Sequence, residues 1–377
     1  MAASQAYAVA EAVAFSDILS IGVQLPIEGK ALPPLSPSDT PLPPSAGGCD
    51  EAAIRQFLVS ESYPVGLINE CITSIKNYAV HFFICDDSGS MMTYDGNKLV
   101  PDPKHPGRTI QVQCTRWDEL GISMRFHAKL AELSGTFCQF KFLNGPTIEY
   151  PRDIGTGKLE KVLDAPPGGA TPLCKAVLDV ERTVGKYAAA LRENGHMAVI
   201  SIFTDGEATD GSLINAMKPL QLLPVWLVIR LSTDEEKIVN YWNNVDDELE
   251  LNIDVLDDLV NEAKQVQTIN PFLVYTKELH LMREWGMQMR ELDSIDEVRL
   301  PLASVHKVIV ALVGPELGAT LPNCIETDLR AYVAAVRKLF HLPCFHKVHN
   351  FVSGRSDTWV RADDIWKTYG VKSCAIL

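Results

Sequence analysis

The chain contains no run of 18 or more apolar residues, so no helix able to cross a bilayer is expected. It is also short of positive charge: 34 Lys and Arg stand against 48 Asp and Glu, a net charge of −14 with a pI near 5.1. Phosphate backbones are gripped by clustered cations, so this balance argues against a nucleic-acid partner. No Lys or Arg precedes Lys30, and Glu11 and Asp17 fall within that stretch, which is not the pattern of a secretory signal. The nine cysteines are odd in number and lack the short paired spacings of a disulfide framework or a zinc finger. Reduced thiols and a cytoplasmic setting are therefore expected. Three enzyme signatures are missing as well: the GxxxxGKS/T phosphate loop, the GxSxG nucleophile elbow and the HExxH zinc helix.

What is present is ample chain for a buried core, 377 residues with 46% hydrophobic letters. Residues 31–44 (ALPPLSPSDTPLPP) hold six prolines, which forbid a helix and discourage a central strand, so residues 1–48 read as an extended tail or linker. Residues 49–77 read as a lead-in of two short helices broken near Pro64. Four continuous apolar runs then follow: VHFFIC (80–85), TFCQFKFL (136–143), HMAVISIF (196–203) and VWLVIRL (225–231). Runs of this kind suit parallel strands covered on both faces. Between them, residues 115–134 place Trp117, Leu120, Met124, Phe126 and Leu130 near helical spacing, and residues 172–194 do the same with Leu173, Val177, Val180, Val184 and Tyr187. Strands alternating with helices predict a doubly wound (Rossmann-like) α/β fold, with a mainly parallel sheet and helices on both faces.

Residues 232–262 carry eleven Asp or Glu against one Lys and read as a solvated helical face. Residues 266–373 read as a C-terminal α/β subdomain or extension, with a strand expected at VHKVIVALVG (305–314) and a helix at ETDLRAYVAAVRKLF (326–340). Its charge differs from the rest, with nine basic and six acidic side chains over residues 303–373.

The strand ending in Cys85 runs directly into Asp86-Asp87-Ser88-Gly89-Ser90. The carboxyl ends of strands in a doubly wound sheet are where ligands are held. A carboxylate and two hydroxyls converging on one loop offer oxygen-only ligation, which suits a hard cation such as Mg²⁺, whereas a soft metal would want Cys or His. Two later loops fit the same constellation. Gly168-Gly169-Ala170-Thr171 opens a helix, and Thr204-Asp205-Gly206-Glu207 ends the strand HMAVISIF. DDSGS alone also reads as a turn or helix cap; the three loops in order favour a metal site.

These residues resemble the von Willebrand factor A domain, whose metal-ion-dependent adhesion site is written DxSxS, then a Thr in a glycine-rich loop, then an Asp after a later strand. The resemblance covers roughly residues 78–265. It implies that Asp86, Ser88 and Ser90 are first-loop ligands, Thr171 the second-loop ligand and Asp205 the third, with Ser88, Ser90 and Thr171 able to bind the ion directly and the aspartates often acting through water. The implied cofactor is Mg²⁺, with Mn²⁺ or Ca²⁺ as alternatives. The implied activity is binding of a partner protein that supplies a carboxylate to the metal, not catalysis. Two departures from the pattern stand out. Asp87 occupies a variable position and is expected to face solvent or cap the following turn. Residues 93–113 also insert an unusually long segment between the metal loop and its helix.

Two other function classes stay open: a metal-independent scaffold with a degenerate site, and a Mg²⁺-dependent phosphoryl-transfer enzyme of the haloacid dehalogenase type. The latter needs DxDxT/V, whereas the third position here is Ser88. The chain ends Cys374-Ala375-Ile376-Leu377, which resembles a CaaX box, and its terminal Leu favours a geranylgeranyl group on Cys374. That would give peripheral membrane attachment. His341, Cys344, His346 and His349 fit no standard zinc spacing and read as a helix end followed by a strand.

Overall fold

The four apolar runs form the middle of a six-stranded sheet in a computed structural model that describes residue 42 and residues 49–105, 108–249, 251–323 and 325–370, all within one unit spanning Asp39–Leu377. The Pro-rich tail apart from Leu42, and Cys374 with its C-terminal neighbours, lie outside the described residues. In chain order the strands are β1 (Tyr78–Cys85), β2 (Gly96–Pro101), β3 (Thr109–Cys114), β4 (Phe137–Phe142), β5 (Thr147–Tyr150), β6 (Met197–Thr204), β7 (Val225–Leu231), β8 (Ile253–Leu256), β9 (Val348–Asn350) and β10 (Arg355–Asp357). The longer helices are α1 (Glu51–Ser60), α2 (Val65–Asn77), α3 (Arg116–Ser134), α4 (Leu173–Glu193), α5 (Glu236–Glu248), α6 (Leu259–Ile269), α7 (Lys277–Glu284), α8 (Leu302–Val313), α9 (Leu329–Leu339) and α10 (Ala362–Tyr369).

The sheet runs β5-β4-β1-β6-β7-β8, with every neighbouring pair parallel except β4 and β5. The chain leaves β1 for β4 on one side and returns to β6 on the other. The strand order therefore reverses at β1, which opens a crevice at the carboxyl ends of β1 and β6. Side chains alternate across the sheet. Phe82 and Ile84 join Ile200, Ile202 and Leu227 in one core beneath α4 and α5, whereas Phe83 and Cys85 join Phe140 and Phe142 in a second core beneath α3. On β1, β6 and β7 both faces are apolar and covered, which is why these strands are continuous hydrophobic runs, whereas β4 departs from that expectation and alternates, with Gln139 and Lys141 half-buried on its second face.

The C-terminal region completes the second core. Trp285, directly after α7, stacks on His81 of β1 with ring centroids 4.0 Å apart, and the Ser201 hydroxyl of β6 donates to the Glu284 carbonyl at 2.7 Å. Residues of α1, α2, α8, α9 and α10 belong to the same hydrophobic cluster. Charge is buried here too. Glu284 lies 2.9 Å from His127 Nε2 and 3.4 Å from Arg230 Nε, it accepts from the Ser123 hydroxyl at 3.1 Å, and Arg230 also pairs with Glu119. Burial would raise the Glu284 carboxyl, but His127, His280 and Arg230 hold it below its ordinary value.

Two sequence expectations are corrected, and the insertion takes a defined form. Residues 305–314 are not a strand. Residues 305–313 lie in α8, where Val305, Val308, Ile309, Leu312 and Val313 are buried at helical spacing after Pro301 at the N-cap, and Gly314 is the C-cap. A short β-branched run carries either period, and here packing against α2 selects the helix. Residues 232–262 are not one solvated helix: they form α5, β8 and the start of α6, and Asp254 and Glu262 are buried against Arg283. The insertion 93–113 folds into the β2–β3 hairpin.

Candidate metal centre

β1 ends at Cys85, yet Asp86 keeps the strand pairing by donating its N–H to the Phe203 carbonyl at 2.9 Å. Its side chain therefore enters the crevice fully buried. Oδ1 accepts from the Ser88 N–H at 2.9 Å and Oδ2 from the Thr204 hydroxyl at 2.7 Å. Burial pushes the Asp86 carboxyl up, the Ser88 and Thr204 bonds oppose that, and the nearby Asp205 carboxylate adds to the rise.

From Ser88 a line of oxygens crosses the crevice. Ser88 Oγ lies 3.0 Å from Ser90 Oγ, and the Ser90 hydroxyl donates to Asp205 Oδ1 at 2.8 Å. Asp205 stands one residue beyond β6, beside β1 in the sheet. The glycine-rich loop closes the third side. Gly168 N–H donates to the Asp87 carbonyl at 2.7 Å, and Gly89 N–H donates to the Gly169 carbonyl at 3.2 Å. Gly169 has φ +104°, and a Cβ there would fall 2.6 Å from Asn144 Oδ1, so glycine is required on both counts. Thr171, buried, ties this loop to the third one: its N–H donates to the Thr209 hydroxyl at 3.1 Å and its carbonyl accepts from Thr209 N–H at 2.9 Å. Asp210 then accepts from the N–H groups of Cys174 and Lys175 at 3.0 and 2.9 Å, capping α4.

Asp86, Ser88, Ser90 and Asp205 are thus joined through side chains, with Thr171 on a loop bonded to both neighbours. Asp87 departs from expectation. It is buried, and its Oδ1 accepts from Asn144 N–H at 2.7 Å and Asn144 Nδ2 at 3.1 Å, so it anchors the loop after β4 and does not face solvent. Burial raises its carboxyl above the usual value, and the Asn144 bonds oppose the rise.

Sequence reasoning missed two side chains of the site. Thr204 supplies the second hydrogen bond to Asp86, and its signal was one hydroxyl at the end of an apolar run. Arg116 is 4% exposed in the first turn of α3, and its Nη1 donates to Asp205 Oδ2 at 2.9 Å. Asp95, at the base of the hairpin, takes the opposite edge from Nε and Nη2 at 2.8 and 2.6 Å. Burial alone would lower the Arg116 pKa, but its bonds to Asp95 and Asp205 carry it above the ordinary value. The sequence signal was a cation at the positive end of a helix macrodipole, where it needs carboxylates nearby.

The candidate donors are oxygen only: the carboxylates of Asp86 and Asp205 and the hydroxyls of Ser88 and Ser90, with Thr171 placed on the adjoining loop by its backbone bonds to Thr209. Adjacent ligands of an octahedral Mg²⁺ stand about 2.9 Å apart when each lies roughly 2.0 to 2.1 Å from the ion. The Ser88–Ser90 and Ser90–Asp205 separations of 3.0 and 2.8 Å match that spacing. These residues fit a hard divalent cation and offer nothing to a soft one. Comparison with protein-family models and with curated proteins finds no match to this chain.

Proposed function

We propose that the chain is a protein-binding module of the von Willebrand factor A type. In this reading a doubly wound, Rossmann-like core holds Mg²⁺, or Mn²⁺ or Ca²⁺, on Asp86, Ser88, Ser90, Thr171 and Asp205, and the ion takes a carboxylate from a partner protein. One observation carries it: Ser90 and Asp205, 115 residues apart, meet at 2.8 Å where the strand order reverses, inside a set of hard oxygens. Binding without turnover is the expected activity. The test is capture of partners by the wild type and by Asp86→Ala, each with Mg²⁺ or with chelator. A partner lost on chelation and on mutation supports the module; partners unchanged in all four conditions contradict it.

A second reading, a metal-independent scaffold, has one observation in its favour. Ser88, Ser90, Asp205 and Arg116 satisfy one another by hydrogen bonds, so the loops are held together by the protein alone. The same four conditions separate the two.

The location proposed is cytoplasmic with a prenyl group on Cys374. Among the described residues no helix is long and apolar enough to cross a membrane. Cys374→Ser should move the protein from the membrane to the soluble fraction of a eukaryotic cell, and an unchanged distribution would remove the anchor.

A further inference from the structure

We propose that Arg116 is a resident counter-cation that loosens the protein's grip on the metal and sharpens the metal's grip on the partner's carboxylate. This rests on the metal reading above and adds a residue that the DxSxS pattern does not contain.

Arg116 carries a permanent charge, and burial shields that charge from the salt screening of an exposed side chain. Its guanidinium is shared among three anions, Asp205, Asp95 and, more distantly, Glu235. Nη1 reaches Asp205 Oδ2 at 2.9 Å, while Asp205 Oδ1 faces Ser90, so one carboxylate is shared between the guanidinium and the candidate ligand set. Nε and Nη2 are taken by Asp95, whose side chain is 44% exposed. Nη2 also reaches the Thr233 hydroxyl at 3.2 Å, with Glu235 at 3.5 Å. Helix α3 gains nothing from a cation in its first turn, so these contacts, not helix stability, account for the residue's place.

The electrostatic consequence follows from the sharing. With Asp205 neutralised from behind, the ion is compensated chiefly by Asp86, because the serine and threonine hydroxyls bring no charge. The ion is then held less tightly by the protein and keeps more positive charge for an outside anion. Asp95 sets how far this goes, since it draws the guanidinium charge away from Asp205.

Two variants should therefore move in opposite senses. Arg116→Gln should tighten Mg²⁺ by about tenfold and weaken carboxylate binding to the loaded protein, the scale expected for one unit charge a few ångströms away under partial screening. Asp95→Asn should weaken Mg²⁺ by about threefold and strengthen carboxylate binding. Arg116→Lys keeps the charge but cannot hold Asp95 and Asp205 together as the guanidinium does, so its Mg²⁺ affinity should fall between those of the wild type and Arg116→Gln. The measurements are calorimetric titration of each full-length protein with Mg²⁺, then of the Mg²⁺-loaded protein with an acetylated peptide carrying one aspartate, against its asparagine version. Opposite shifts in the two affinities support the proposal. If every variant weakens Mg²⁺, Arg116 only holds the loop in place and the proposal is overturned. If Arg116→Gln does not fold, Asp95→Asn decides the matter, and weaker or unchanged peptide binding overturns the proposal. Mg²⁺ binding that none of these variants alters overturns it while leaving the metal reading intact, whereas a wild type that binds no Mg²⁺ overturns both.

Discussion

The Thr204 hydroxyl donates to Asp86 Oδ2 at 2.7 Å across the β1–β6 pair, and both residues are fully buried. A hydroxyl one residue before Asp205 thus fixes the carboxylate that opens the candidate metal loop. Thr204→Val keeps the shape and removes the donor, leaving a buried carboxylate oxygen without that bond. The expected cost is about 2 kcal/mol in urea unfolding. A loss under about 0.5 kcal/mol would show that the bond does not hold Asp86.

Glu284 should be the most sensitive charge outside the crevice. It is contacted by His127, Ser123 and Arg230 with no exposure to solvent. Neutralising it leaves Arg230 short of one counter-charge, so Glu284→Gln should cost about 3 kcal/mol. Chemical denaturation of the two proteins side by side checks this, and equal midpoints would contradict the network.

A pH effect is expected at the β8 edge of the sheet. Asp254, Asp257, Asp293 and Asp296 line a cavity of about 270 Å³. Burial, with the Asp254 charge adding to it, pushes Asp293 up to about 7. A carboxyl raised in the folded state is fully stabilising only below its unfolded pKa, near 4, and that contribution is lost as pH rises through about 7. Asp293→Asn removes the loss. It should match the wild type near pH 4 and exceed it by about 1 to 2 kcal/mol at pH 8, a ceiling reduced for the group's partial exposure. A gap that does not widen between those pH values would refute the assignment.

The α2–α8 contact depends on one missing side chain. A Cβ at Gly66 would fall 2.0 Å from the Ala311 carbonyl oxygen and 2.6 Å from Gly314 N, all backbone on the facing side. Gly66→Ala should therefore cost about 3 kcal/mol, through helix separation, despite the better helix propensity of alanine. Thermal unfolding that leaves the midpoint unchanged would mean that the helices part freely.

Much of this architecture was legible in the sequence because the central strands are buried on both faces. VHFFIC and VWLVIRL can be continuous apolar runs only where helices cover both sides, and the loops that follow β1 and β6 are then fixed by position. The run VHKVIVALVG was not legible, because Val305, Val308, Ile309, Leu312 and Val313 satisfy a helix as well as a strand, and only the groove along α2 decides. Asp87 and Arg116 failed for a related reason. Their partners, Asn144 in one case and Asp95 and Asp205 in the other, are distant in sequence or lie in an insertion, so local pattern gave no hint of burial.

In the proposed reading the oxygens of Asp86, Ser88, Ser90, Thr171 and Asp205 act together on one divalent ion. The most direct measurement is calorimetric titration of Mg²⁺ into the full-length wild type and into the Ser88→Ala/Ser90→Ala protein, with circular dichroism to confirm that both are folded. Saturable binding at one site is expected in the wild type, weakened at least tenfold when the two hydroxyls are removed. A folded wild type that takes up no Mg²⁺, or a double variant that binds it equally well, would contradict a metal site at these oxygens.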